Sequence, residues 1–435
     1  MKIFGWWVVG WMLAVATLRA QTNTYSVICD ITNDGSGPTA GLVLSGGTLY
    51  GTIPGGGASF HGMFAVGTNG SGLSSLIPFG SGYGVGLILN GDVLYGFNGT
   101  FFTAYTDATN FTETNVGNFS YVSDPVLSDN PFTGSHLYGT IANTAYGGMI
   151  YKINTDGTSL TNLRTFTNSP DGAEPQGGLV MAGLGGYTLY GTTYRGGSLG
   201  NGTVYKINMD GTGYAIIHNF TNTPDGANPQ GDLVLNGNLL YGTTCNGGGS
   251  GSGTVFVINT NGTGCTILYS FTNLPDGANP EAGLLLIGTT LYGTTCFGGT
   301  SGYGTVFEIN TNGTNYAVLH SFLGSPSDGA RPDGNLITGN GILYGTTSAG
   351  GIHAAGTIFT LTLPTPPVPP PPPLQVTTAG KSPAVFWQND GLIHTLQTTT
   401  NLASGPWTTV SNGVPLVGLQ ITNAAAQPQA FYRLQ

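Results

Sequence analysis

Charge is what this chain has least of. Only 6% of its 435 residues are Asp, Glu, Lys or Arg, where an ordinary globular domain carries about a quarter. Nine basic residues face nineteen acidic ones, a net charge of −10. That balance excludes nucleic acid as a partner, because gripping a phosphate backbone takes a basic footprint. Helical periodicity is missing throughout, and no apolar stretch beyond residue 20 is long enough to cross a bilayer. The six histidines form neither H-x-x-x-H nor HExxH and pair with no cysteine at zinc spacing. Glycine-rich runs such as GGGSGSG lack the lysine of a phosphate-binding loop.

What the chain does have is glycine, 75 residues of it, with 25 prolines and 11% aromatics. These describe many short strands joined by turns. The string LYG recurs at Leu49, Leu94, Leu137, Leu189, Leu240, Leu291 and Leu343, at spacings of 45, 43, 52, 51, 51 and 52 residues. A period near 50 residues fits a four-stranded propeller blade. The unit at 214–265 reads YAIIHNF, a loop TNTPDGANPQG, then DLVLNG, NLLYGTT, a loop CNGGGSGS, GTVFVIN and a turn. The last unit lacks a fourth strand, and TYSVICDIT at 24–32 has the pattern to supply it. The expected fold is therefore all-β: a seven-bladed β-propeller over 21–363, closed by the N-terminal strand, with LVL innermost, then LYGTT, GTVF and the ILHSF-like strand.

These units resemble the GloVer tandem repeat of exported "choice-of-anchor" proteins from Verrucomicrobia and related bacteria. The likeness rests on LYGTTxxGGxxGxGTVFxINTxGT followed by LHSFxxxPDGAxPxGxL, over about 24–363, and is weakest in units two and three. The resemblance implies an exported propeller-like array and carries over no catalytic residue. Residues 1–20, MKIFGWWVVGWMLAVATLRA, read as a secretory signal peptide. The expected location is outside the cytoplasm, either extracellular or at the cell surface or periplasm. TPPVPPPPP within 364–373 reads as a polyproline II linker, and 374–435 as a small β-sandwich-like module. That module resembles the C-terminal β modules of verrucomicrobial exported proteins through Trp387, Leu396, Gln397, Asn401, Leu402, Trp407 and Phe431 to Leu434.

Function is far less legible than fold. The long loops should share one face of the ring, where binding is usually built. Tyr194, Arg195, Phe297, Tyr303 and His353 lie in those loops and are the candidate ligand-binding residues, each with packing of its own loop as the alternative. Asp171, Asp225, Asp276 and Asp328, each followed by Gly, are candidate calcium ligands, but the preferred reading is a turn in which the carboxylate accepts backbone N–H bonds. No metal or cofactor is therefore expected, with calcium the alternative. His218 and His320 recur in equivalent strands and read as structural. Cys245 and Cys296 follow successive LYGTT strings and are a candidate disulfide. The expected function is an exported, monomeric binding protein for a polysaccharide or a cell-surface protein. A polysaccharide lyase or glycosidase on the same scaffold, marked by convergent carboxylates at the axis, and a structural envelope component are the alternatives.

Overall fold

The computed structural model describes residues 23–363, apart from 33–36, 55–61, 79–85, 98–99, 117–121, 131–133, 143–146 and 183–187, and six short strands between 375 and 434. The segments expected to be a leader, 1–20, and a linker, 364–373, lie outside the described residues. The chain divides into two compact units, Met1–Leu363 and Pro364–Gln435. No helix among the described residues is long and apolar enough to cross a membrane.

The first unit is a seven-bladed β-propeller of four-stranded antiparallel sheets. Blade five shows the plan, with strands Val234–Asn236, Leu239–Thr244, Thr254–Asn259 and Thr266–Ser270 in that spatial order. The first strands of adjacent blades touch, and Val43–Ser45 of blade one lies against both Ile88–Asn90 of blade two and Ile337–Gly339 of blade seven. They are therefore innermost, and the ring is closed. Blade seven takes its outer strand, Thr24–Asp30, from the other end of the chain, paired with Thr357–Thr362. That pairing repeats a detail of the other blades: the register slips by one residue between Val27 and Cys29, as it does at Val204/Tyr205, Val255/Phe256 and Val306/Phe307. The closing strand thus carries the bulge of an ordinary fourth strand.

Each letter of LYGTT has a separate physical reason. Alternation puts Leu and Tyr on opposite faces of a sheet, and each face packs on a different neighbour. Leu240 is buried with Tyr190 of blade four, and Tyr241 with Leu291 and Phe307 of blade six. The same Leu-to-Tyr contact crosses from blade seven to blade one, where Tyr344 packs with Leu49 and Phe64. Gly242 faces Phe256 on the next strand; a Cβ there would stand 2.6 Å from Phe256 Cζ and 2.8 Å from Leu233 Cδ2. Gly242→Ala is therefore expected to lower stability by about 1–3 kcal/mol through overpacking. A thermal midpoint equal to that of the native chain would remove this account. The second Thr of the string bonds the first Thr of the third strand, at 2.8 Å for both Thr244 with Thr254 and Thr295 with Thr305.

The second unit contains two three-stranded sheets, one of Gln375–Thr377, Ala384–Phe386 and Leu419–Gln420, the other of Leu396–Thr399, Thr408–Ser411 and Phe431–Leu434.

Candidate functional site

The loop entering each blade and the loop between its second and third strands emerge on one face of the propeller and are stitched together. Ala173 bridges Arg195, Ala227 bridges Asn246 and Ala278 bridges Phe297. The loop aspartates serve this stitching. Asp225 accepts from His218 Nε2 at 2.9 Å and Thr221 N at 2.9 Å. Asp276 accepts from the Tyr269 hydroxyl at 2.6 Å and Thr272 N at 3.1 Å. Asp171 pairs with Arg164 at 2.5 Å. Asp328 accepts from His320 and Leu323 N, both at 2.9 Å, and from the Tyr25 hydroxyl at 2.5 Å. Each carboxylate is thus bound within its own turn or by its neighbour's outer strand, and His218 and His320 share that work.

The first Thr of LYGTT leads from this scaffold to the axis. Its hydroxyl donates to a carbonyl of the segment entering the next blade: Thr243 to Ala282 at 3.3 Å, Thr294 to Pro332 at 3.2 Å and Thr346 to Ala40 at 3.1 Å. Those segments line a cavity of about 290 Å³ to which all seven blades contribute. At its floor comes the ring of residues two places before each innermost strand, of which Gly41, Gly86, Asp124, Asp232 and Asn335 line it. In blade order the ring is Gly41, Gly86, Asp124, Gly178, Asp232, Gly283 and Asn335. The glycines make room for the others, since a Cβ on Gly86 would collide with the Asp124 carboxylate and one on Gly283 would stand 3.0 Å from Asp232 and 3.1 Å from Asn335. Asn335 accepts from Gly283 N at 2.6 Å, which turns its amide nitrogen toward both acids, 2.8 Å from Asp232 Oδ2 and 3.4 Å from Asp124 Oδ2. Gly178 N–H also donates to Asp232.

Two residues further back, a wall position carries Gln176, Gln230, Glu281 and Asp333 in blades four to seven. The cup is therefore amide-lined on one side and acidic on the other. Burial, reinforced by the Asp232 charge, pushes the Asp124 carboxyl up to about 7. Burial also raises Asp232, against the pull of Gly178 N–H and the Asn335 amide. Glu281 is pushed up to about 7 by burial and by Asp333, with Arg331 opposing. Cys296 donates to Asp333 at 3.0 Å, and burial followed by the Asp333 charge holds its thiol far above the usual range. Glu281, Cys296 and Asp333 bring ligand atoms within 4.8 Å of one another, the one such group among the described residues. The Arg331 guanidinium, bonded to Cys296 and close to both acids, already supplies positive charge there.

The residues singled out in the sequence stand around the cup and do not line it. Arg195 is exposed, 3.3 Å from Glu174 and 5.7 Å above the Tyr194 ring. Tyr194 stands within electrostatic reach of Glu281, and Phe297 carries Arg331 5.2 Å over its ring. Tyr303 is exposed against Gly324, and His353 is exposed on its loop. Cys245 and Cys296, the candidate disulfide, are free thiols. Each is held beside a carboxylate of the next blade's wall, Cys245 4.0 Å from Glu281 and Cys296 against Asp333. Asp124, Asp232, Glu281, Asp333 and Asn335 were passed over in the sequence. For Asp124, Asp232 and Asn335 the signal is a departure from the repeat, since DPVL, DLVL and NLIT stand where the other blades write GLVL, GLIL, GLVM or GLLL.

A sequence model of the Gloeobacter/Verrucomicrobia repeat matches residues 90–284 and 188–369. The chain belongs to the Gloeobacter/Verrucomicrobia repeat family. Its matched span covers the blades in which the cup's four carboxylates stand. Among solved structures, a putative TolB from Agrobacterium tumefaciens is similar at 10% identity, over 68% of this chain and 95% of that one, with a TM-score of 0.40. No curated protein matches the chain.

Proposed function

We propose that this Gloeobacter/Verrucomicrobia repeat protein is an exported binding protein whose axial cup takes a terminal sugar unit of a polysaccharide. The observation behind this reading is the composition of the cup. Carboxylates and carboxamides, here Asp124, Asp232, Asn335, Gln176 and Gln230, are the planar groups that pair with neighbouring hydroxyls. A cavity of about 290 Å³ falls just below the ~300–1,000 Å³ usual for ligand sites, which suits one ring and not a chain. Phe297 and Tyr303, 39% and 47% exposed on the same face, offer surfaces on which further rings can stack. Export rests on the leader at residues 1–20, and the C-terminal unit is assigned to attachment at the cell surface.

A polysaccharide array probed with the purified chain, with and without EDTA, tests the reading. Specific binding that Asn335→Ala abolishes is the expected result. A blank array would move the function to a protein partner or to structure. The paired carboxylates favour catalysis as a second reading, since an acid raised to about 7, as Asp124 is, suits proton donation to a leaving group. Release of reducing ends from a bound polysaccharide would establish that reading in place of simple binding.

A further inference from the structure

We infer that the seam between blades four and five is a hinge, at which the ring opens first and the cup widens. The hinge does not depend on what the cup binds. The seams that follow blades three, four, five and six are built from equivalent residues, so a missing part shows. Each brings together a residue of one blade's outer strand, the aspartate of the loop entering the next blade, and the residue at the head of that next blade's outer strand. In three of the seams this last residue is a tyrosine. Tyr214 lies under the Arg164 guanidinium at 3.9 Å and donates to the Asp171 carbonyl at 3.0 Å. Tyr316 stacks on Tyr269 at 3.7 Å and donates to the Asp276 carbonyl at 2.7 Å. Tyr25 stacks on His320 at 3.5 Å and donates to Asp328 at 2.5 Å. Between blades four and five the place is taken by Cys265, a half-buried free thiol. It has no ring to lay on His218, which meets the edge of Phe220 at 4.9 Å.

A second part is missing from the same seam, beside the axis. The first Thr of the LYGTT strand ties each blade to the segment entering the next: Thr140 to Gly177 at 3.0 Å, Thr243 to Ala282 at 3.3 Å and Thr294 to Pro332 at 3.2 Å. The Thr192 hydroxyl is buried, and among the described residues it has no partner. A stacked ring contributes beyond its buried area, and a buried hydroxyl without a bond costs free energy. The apolar cluster of this seam, with Tyr190 and Val204 against Leu240 and Phe256, matches those of the seams that follow. Packing therefore does not make good the two losses, one at the outer strand and one near the axis. In the cup the seam separates Gln176 from Gln230, Gly231 and Asp232. Opening it releases the bond from Gly178 N–H to Asp232 and parts those two walls.

Hydrogen exchange of the full chain, resolved by residue in a mass spectrometer, tests the hinge, because native-state exchange reports local opening. One backbone bond crosses each seam in the same place: Asn228 N–H to Asn201 O at 2.8 Å, Asn279 N–H to Ser252 O at 2.9 Å and Arg331 N–H to Tyr303 O at 3.0 Å. Asn228 and Asn279 both follow alanine and precede proline, so their intrinsic rates match. Asn228 is expected to exchange at least about tenfold faster than Asn279 and Arg331, a difference of about 1.4 kcal/mol. Cys265→Tyr rebuilds at His218 and Asp225 the arrangement that Tyr25 makes with His320 and Asp328, and should slow Asn228 about tenfold with Asn279 unchanged. Tyr316→Cys should do the converse, releasing Asn279 and leaving Asn228 as it is. Equal exchange at the three amides would overturn the hinge, since the ring would then open as one. So would a folded Cys265→Tyr chain in which Asn228 exchanges as fast as in the native chain. If that variant does not fold, Tyr316→Cys decides, and no acceleration at Asn279 would overturn the proposal.

Discussion

A chain that lacks residues 24–32 is expected to lose its cooperative thermal transition, to aggregate and to be cut rapidly by protease. The segment is the fourth strand of blade seven, and its removal leaves Thr357–Thr362 as a bare edge. Unpaired edges recruit other strands. It also empties part of two cores. Ile31 is fully buried with Leu49 and Phe64, and Ile28 and Cys29 pack on the same cluster. The Tyr25 ring stacks on His320 at 3.5 Å and lies 5.7 Å from Phe359, while its hydroxyl reaches Asp328. At about 1.5–3 kcal/mol for each large apolar side chain buried, the lost contacts approach the ~5–15 kcal/mol that holds a whole domain folded. Limited proteolysis and calorimetry of the truncated chain, with and without a peptide of residues 23–32 added in trans, provide the check. Recovery on adding the peptide is the expected outcome. A truncated chain as stable as the native one would mean that the ring is not held shut by this strand.

The closing strand was legible in the sequence because a repeat makes its own alignment. Tyr25 stands near the start of the fourth strand of blade seven and Tyr214 and Tyr316 immediately before the fourth strands of blades four and six, and TYSVICDIT is recognisable as a missing piece by laying it on YAIIHNF and YAVLHSF. The same comparison explains why Asp225 and Asp276 were read as turn residues: each stands in a PDGA string that recurs with the period of the blades. The cup was illegible for the converse reason. It takes one residue from each of several segments some fifty positions apart, and at those points most blades carry glycine, which sequence reading assigns to turns. Asp124 stands in a unit that has lost PDGA altogether, so nothing local marks it as the partner of Asp232. Only the ring geometry brings both to one Asn335 amide. An exposed aromatic such as Tyr303 is legible alone because stacking needs only one ring, whereas the convergent groups are half-buried acids whose meaning depends on one another.

Those acids set the second large effect, which is on stability. Asp124 titrates near 3.8 when unfolded and about 7 in the folded cup. Below the lower value both states are protonated and the acid contributes no difference. Between the two the folded chain holds the extra proton, so this group makes stability fall as pH rises, and the loss is complete above about 7. Each pH unit of the interval is worth about 1.4 kcal/mol, a ceiling that solvent reaching the cup will reduce. Other carboxylates pull the opposite way, Asp328 among them, because hydrogen bonds from His320 and Tyr25 hold it below its usual range. The difference between the native chain and Asp124→Asn isolates the axial term. Asn at 124 gives up only the 3.4 Å contact from Asn335 and removes the like charge beside Asp232. Asp124→Asn is therefore expected to melt at nearly the native temperature at pH 4 and several degrees higher at pH 8, read by calorimetry across that range. Coincident curves at every pH would mean that the pair is already neutralised in the free protein. A gain at pH 8 alone would place at the floor of the cup a cost that folding tolerates, which is the behaviour of a site retained for a ligand and not for the stability of the ring.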